Sequence, residues 1–140
     1  MIKKLLAVVA VAFLVGACEE PPPTATPAPP APRNFLVFFD FDRSNLTPRA
    51  MDIVKEAAAV AKAGKNARVT TTGHTDTAGP ANYNLALSLR RANTVKEALV
   101  REGVAADAIA VVGKGKTALL VQTKDGVREP QNRRVEIVVQ

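Results

Sequence analysis

Two stretches with helical spacing, each held between short runs rich in β-branched and aromatic residues, constrain this chain's fold more than any other feature. The first run, "NFLVFFDFD" from Asn34, reads as a strand that ends in the carboxylates Asp40 and Asp42. "SNLTPRA" follows, with Thr47 as N-cap and Pro48 at the first helical position. Met51, Val54, Ala58 and Ala61 then recur at helical spacing, and Gly64 ends that helix. "ARVTTTGHTD" reads as a second strand, with Thr70, Thr72, His74 and Asp76 on one side and Val69, Thr71, Gly73 and Thr75 on the other. After an "AGP" turn, Leu85, Leu89, Ala92, Val95 and Leu99 form one apolar stripe of a longer helix closed by Gly103. "AIAVVGKG" gives a third strand, residues 117–132 a connection without an evident element, and "RRVEIVVQ" a last strand. A helix joining two strands of one sheet is a crossover. The order βαβαββ therefore predicts parallel pairing of at least the first strands, with both helices on one face. The fold class is an α/β (α+β) two-layer sandwich on a mixed sheet.

The chain length of 140 residues leaves room for one such domain, at residues 33–140, once the N-terminal region is set aside. "MIKKLLAVVAVAFLVGAC" has the composition of a signal peptide over residues 1–17. Lys3 and Lys4 form the basic part, Leu5 to Val15 the apolar part, and Gly16-Ala17 the small residues before a cut. The apolar run is too short to span a bilayer. "VGAC" resembles the lipobox of bacterial lipoproteins, which implies that Cys18 is acylated and becomes the first mature residue. Cys18 is the only cysteine, so no internal disulfide forms. Half of residues 19–32 are proline and none is a large apolar residue, so this stretch cannot build a core. Residues 18–32 thus read as a lipidated cysteine and a tether, with a reach of about 45 Å if it is fully extended polyproline II.

Residues 33–140 carry the whole formal charge of +6. Positive charge alone suits nucleic acid, anionic lipid or an acidic polymer equally. An export signal and a chain without tryptophan or any aromatic stacking platform make nucleic acid the poorest of these partners.

"HTDTAG", residues 74–79, puts the only histidine two positions from a carboxylate. Zinc needs three or four ligands, and the domain has one histidine and no cysteine, so no metal site is expected. Catalysis is disfavoured as well, because no serine or cysteine nucleophile is recognisably partnered with His74. "GKGKT", residues 113–117, imitates the end of a phosphate loop. The required earlier glycine is missing, since neither Ala110 nor Val111 is glycine, and solvated loop lysines account for the motif better. What remains is binding of a zwitterion. Asp42 and Asp76 each close a predicted strand, at the sheet edge where α/β proteins hold ligands. Asn84, Ser88 and Arg91 share one face near the start of the second helix. A carboxylate holds an ammonium, and a guanidinium grips a carboxylate through two parallel hydrogen bonds. Spacing alone fits equally well an internal Asp76–Arg91 salt bridge with no ligand.

Four blocks, "FDFDRSNLTPRA", "GHTDTAGPANYNLALSLRRANTVKEAL", "GVAADAIAVVGKG" and "NRRVEIVV", resemble in order and spacing the OmpA-like peptidoglycan-binding domain of outer-membrane protein A and the peptidoglycan-associated lipoproteins. The resemblance covers residues 35–140. It implies the same βαβαββ sandwich, and a protein that binds the diaminopimelate side chain of peptidoglycan without cleaving it and without a cofactor. By the same resemblance Asp76 binds the amino group and Arg91 the carboxylate. Asp42 and Arg133 line the same pocket, with Asn84 and Asn132 in support. The chain departs from the family pattern at Lys116 and Leu119-Leu120, where an acidic residue and a proline are common, and at Thr71, where an aliphatic is usual.

These readings together describe a lipid-anchored protein on the periplasmic face of the outer membrane that ties the membrane to the cell wall. Glu19 after the cysteine resembles the sorting pattern for the outer membrane. The alternative is an envelope interaction module, such as a component of a Tol-type complex, in which wall binding is secondary.

Overall fold

The computed structural model describes Gly16 and residues 21–140. Cys18 and most of the expected signal peptide lie outside the described residues. Residues 21–32 form no regular element and are exposed. The domain begins with β1 (Arg33–Phe38), followed by α1 (Pro48–Ala63), β2 (Val69–Gly73), α2 (Ala81–Arg101), β3 (Ile109–Gly113) and β4 (Arg134–Val139). Short 3-10 turns at Ala106–Ala108 and Pro130–Asn132 precede the last two strands.

Local chemistry sets the helix ends. Thr47 is extended, and its Oγ1 accepts the Ala50 N–H at 3.2 Å, while Pro48 fills a position whose N–H would have no intrahelical partner. At the far end of α2, Gly103 has φ +99° and donates its N–H to Val100 O, while Val104 N–H reaches Leu99 O. This paired bonding is a Schellman close, which a β-carbon would strain.

The sheet is mixed, in the order β1-β4-β2-β3. β2 and β3 pair in parallel from Val69↔Ile109 to Gly73↔Gly113. β4 lies antiparallel between β1 and β2, with Val37↔Val135 on one side and Thr71↔Ile137 on the other. The expected pairing of the first two strands is therefore replaced. β1 and β2 run the same way but do not pair with each other: β4 lies between them and pairs with both, and β2 pairs with β3 on its other side. The last strand carries the apolar alternation Val135, Ile137 and Val139, all buried, and is suited to the middle of the sheet, where it closes the core from both sides.

Both helices cover one face. Val37, Val54, Ala58, Val69, Val95, Leu99, Val135 and Ile137 form the core between the layers. The stripe expected on α2 holds only for its second half. Ala92, Val95 and Leu99 are buried, but Leu85 and Leu89 are 47% and 38% exposed. In the first turns the buried face is instead Asn84, Leu87, Ser88 and Arg91, because this part of the helix looks onto polar loops beyond the sheet edge. α2 comes very close to β2 there. A β-carbon on Gly73 would lie 1.9 Å from the Ser88 carbonyl oxygen, so only glycine permits this approach.

Candidate functional site

Because β1 and β2 both run antiparallel to β4, their C-terminal ends and the start of β4 fall on one edge of the sheet. Three loops and the start of α2 meet at that edge. β1 ends at Phe38 and β2 at Gly73, so Asp42 and Asp76 stand on the loops beyond the strands rather than at their last positions. Asp42 has φ +55°, a left-handed turn conformation that aspartate tolerates better than most residues.

Arg91 organises the edge. It is 0% exposed, and its guanidinium donates to three carbonyls on two loops: Nε to Arg43 O at 2.8 Å, Nη1 to His74 O at 3.0 Å and Nη2 to Asp40 O at 3.1 Å. The Phe39 ring lies 5.3 Å from it. Burial, and then the nearby Arg133, lower its pKa to about 10, with Asp76 and Asp42 opposing the shift. It therefore stays charged at neutral pH. The ion pair with Asp76 that spacing allowed does not form. Asp76, 3% exposed, pairs with Arg133, Nη1 to Oδ2 at 3.3 Å. Its Oδ1 accepts the Ala78 N–H and its Oδ2 the Glu129 N–H. Arg133 also donates from Nε to Phe39 O at 3.1 Å.

Asp42, Asp76, Asn84, Arg91 and Arg133 line one small cavity of about 20 Å³, along with Phe41, Thr75 and Tyr83. The cavity shares Phe41, Asp42, Ala78 and Tyr83 with a wider, open groove beside it. Of the six residues singled out from the sequence, Asn132 alone is not among the lining residues. It is fully buried and holds the long connection before β4, accepting the Leu120 and Val121 N–H groups at 2.8 Å each and donating to Val121 O. Asn84 both lines the cavity and braces the turn, with its amide on Ala78 O at 2.8 Å.

Tyr83 escaped the sequence reading. Its hydroxyl donates to Asp42 Oδ1, and that acceptor raises the phenol pKa. Its position one residue before Asn84 in the "ANYN" helix start was the available signal. Thr77 also went unnoticed: its Oγ1 donates to Lys124 O at 2.7 Å and accepts the Val127 N–H, seating the long connection on the β2–α2 turn.

His74 contributes its carbonyl to Arg91, but its ring does not line the cavity. The imidazole is buried beside Arg134 and Glu136, with Nε2 3.7 Å from Glu136 Oε1, and burial followed by Arg134 lowers its pKa below 6.5. Among the described residues no group of three or more His, Cys, Asp or Glu side chains is placed to hold a metal. Lys114 is exposed as expected for a solvated loop. Lys116 is not: it braces the loops, with Nζ on Gly79 O at 3.1 Å and on Asp125 at 2.6 Å.

Residues 38–133 match the model of the OmpA family, which includes the Asp42, Asp76, Arg91 and Arg133 positions. The chain belongs to the OmpA family. An outer membrane protein of Gluconacetobacter diazotrophicus is 48% identical over 118 residues, 80% of this chain and 31% of that protein. A peptidoglycan-associated lipoprotein of Legionella pneumophila is 41% identical over 108 residues, 77% of this chain and 61% of that one. This OmpA-family chain thus spans about one third to three fifths of the length of such relatives. The crystal structure of the peptidoglycan-associated lipoprotein from Burkholderia pseudomallei superposes with a TM-score of 0.70 at 31% identity, covering 76% of this chain and 90% of that one. The mixed four-stranded sheet with two helices is the architecture of that OmpA-like neighbour.

Proposed function

We propose that this domain binds peptidoglycan non-covalently, by holding the amino and carboxylate groups at the free end of a diaminopimelate residue, and that it performs no reaction on it. The observation that carries this reading is the charge of the cavity wall: two carboxylates, Asp42 and Asp76, face two guanidiniums, Arg91 and Arg133, in one small space. Such a wall is neutral in sum and dipolar in detail, which suits a zwitterion better than a simple anion or cation.

Donor and acceptor counts support the same roles. A carboxylate offers about four acceptor sites, and Asp76 uses three, on Ala78, Glu129 and Arg133. The remaining site, with the second oxygen of Asp42, receives the ligand ammonium. Arg91 has five N–H groups and spends three on loop carbonyls. The two left over, one on each terminal nitrogen, form a fork for a carboxylate.

Nothing at the cavity is arranged as a nucleophile with its base. Thr75 donates its hydroxyl to the Asp76 carbonyl at 2.9 Å, and the raised pKa of Tyr83 keeps its phenol a donor. The names of the lipoprotein relatives, which are peptidoglycan-associated, agree with the wall as the ligand.

The proposal extends to the remainder of the chain. Residues 1–17 act as a signal peptide, Cys18 carries acyl chains in the outer membrane, and residues 19–32 span the gap to the wall. Several acyl chains anchor stably where one does not, so the link bears load. Two measurements test this. Mass spectrometry of the membrane form should find lipid on an N-terminal Cys18, and an intact Met1 would contradict the anchor. The full chain should sediment with isolated peptidoglycan, be released by free diaminopimelate, and lose retention as Asp76→Asn. Retention of that folded variant at the parent level would contradict the site.

A further inference from the structure

Beside the small cavity, and sharing Phe41, Asp42, Ala78 and Tyr83 with it, an open groove of about 570 Å³ runs along Gly79 and Pro80 to Gly126 and Arg128. Most cations at this edge are already engaged: Arg91 on loop carbonyls, Arg133 on Asp76, Lys116 on Asp125. Arg128 is different. It is exposed, and no ion pair among the described residues uses it. Its guanidinium carbon nevertheless sits 3.6 Å from the centre of the Phe41 ring, a stacked contact that fixes the plane and leaves its edge of N–H donors open.

The backbone around Arg128 is also fixed to the site. The next residue, Glu129, donates its N–H to Asp76 Oδ2, while Gly126 and Val127 donate to Thr77. An oriented guanidinium and the carboxylate of Asp42 thus line the same open groove. The charge there is complementary to a peptide that places an ammonium in the cavity and a second anion outside it.

We infer that Arg128 is a specificity-determining residue, which receives a second carboxylate of the wall peptide, on the residue joined to diaminopimelate. In a stem peptide that residue is a glutamate linked through its side chain, so its α-carboxylate is free unless it is amidated. This inference rests on the proposed function and names which peptide the same site prefers. A planar guanidinium accepts a carboxylate on two parallel hydrogen bonds, and an amide in its place offers only one acceptor oxygen and no charge.

The test is a titration of the full chain with the soluble tripeptide L-alanyl-γ-D-glutamyl-meso-diaminopimelate and with the same peptide amidated on the glutamate α-carboxylate. The parent should bind the carboxylate form about fivefold tighter, the scale of a partly screened ion pair. Arg128→Gln should bring that ratio to about one with the unfolding midpoint unchanged. A ratio that persists in Arg128→Gln overturns the assignment. So does a variant that weakens both peptides equally, since the stack would then only shape the loop. If the parent binds both peptides equally and both compete with peptidoglycan, wall binding stands and Arg128 is not its reader. If the parent binds neither, the proposed function fails and this inference with it.

Discussion

Arg91→Lys is expected to cost stability and ligand binding together, because the side chain both fastens two loops and faces the cavity. The magnitude follows from its bonds. The guanidinium donates to Arg43, His74 and Asp40 carbonyls from three different nitrogens. A lysine ammonium is a single point on a shorter reach, so it keeps about one of the three. Two charge-assisted bonds are lost at roughly 1.5 to 3 kcal/mol each, and the lower end applies because two of the carbonyls are only partly buried. The expected loss is about 3 kcal/mol, a large part of a stability that is on the order of 5 to 15 kcal/mol for a small domain. Urea unfolding measures it as a lower midpoint at unchanged slope. Wall binding is read on the same samples, corrected to the folded fraction, and should fall as well. A midpoint equal to the parent's would refute the reasoning, since it would mean that the three bonds stabilise nothing.

Gly73→Ala should destabilise the domain by about 3 kcal/mol, the upper range for overpacking, because its clash is with the Ser88 backbone and not with a movable side chain; an unchanged urea midpoint would contradict this. The folded-state pKa of His74 lies below 6.5, so the unfolded chain takes up the proton first. Its contribution is complete above the unfolded value and is lost as pH falls through it, and the stability gap between parent and His74→Gln should change between about pH 7.5 and pH 5.5 in the direction that penalises the parent in acid. A gap independent of pH in urea melts would contradict that. Residues 21–32 are exposed, so a chain beginning at Arg33 should unfold at the parent midpoint, and a large drop would show that the tether packs on the domain.

Much of this fold was legible because its signals are local. Thr47-Pro48 marks a helix start by its own geometry, and the alternation in "RRVEIVV" marks a strand whatever its neighbours are. The place of β4 between β1 and β2 was not legible, since strand order depends on which apolar faces meet at long range. The leucine stripe misled in the first turns of α2 for a related reason. Periodicity finds the most apolar face, whereas the buried face there, Asn84, Leu87, Ser88 and Arg91, is mostly polar because it packs against the loops beyond the sheet edge. At the site, residue type and spacing pointed to Asp42, Asp76, Asn84 and Arg91, the family resemblance added Arg133, and the five line one cavity. Their pairing was beyond reach of spacing. Asp76 meets Arg133, 57 positions away, and Arg91 meets backbone carbonyls that any sequence would supply. Asn132 looked like its neighbour Arg133 in the motif, but it is turned to the connection it holds.

A cavity that recognises both ends of a zwitterion must lose affinity when either charged group is removed from the ligand. Lysine is diaminopimelate without one carboxylate, so the stem tripeptides that end in meso-diaminopimelate and in L-lysine differ at the group assigned to Arg91 alone. Calorimetric titration of the full chain with each peptide is the direct measurement. The lysine peptide should bind at least about tenfold more weakly, the equivalent of one lost charge-assisted hydrogen-bond pair. Equal affinities would contradict it, because the guanidinium side of the cavity would then have no part in recognition.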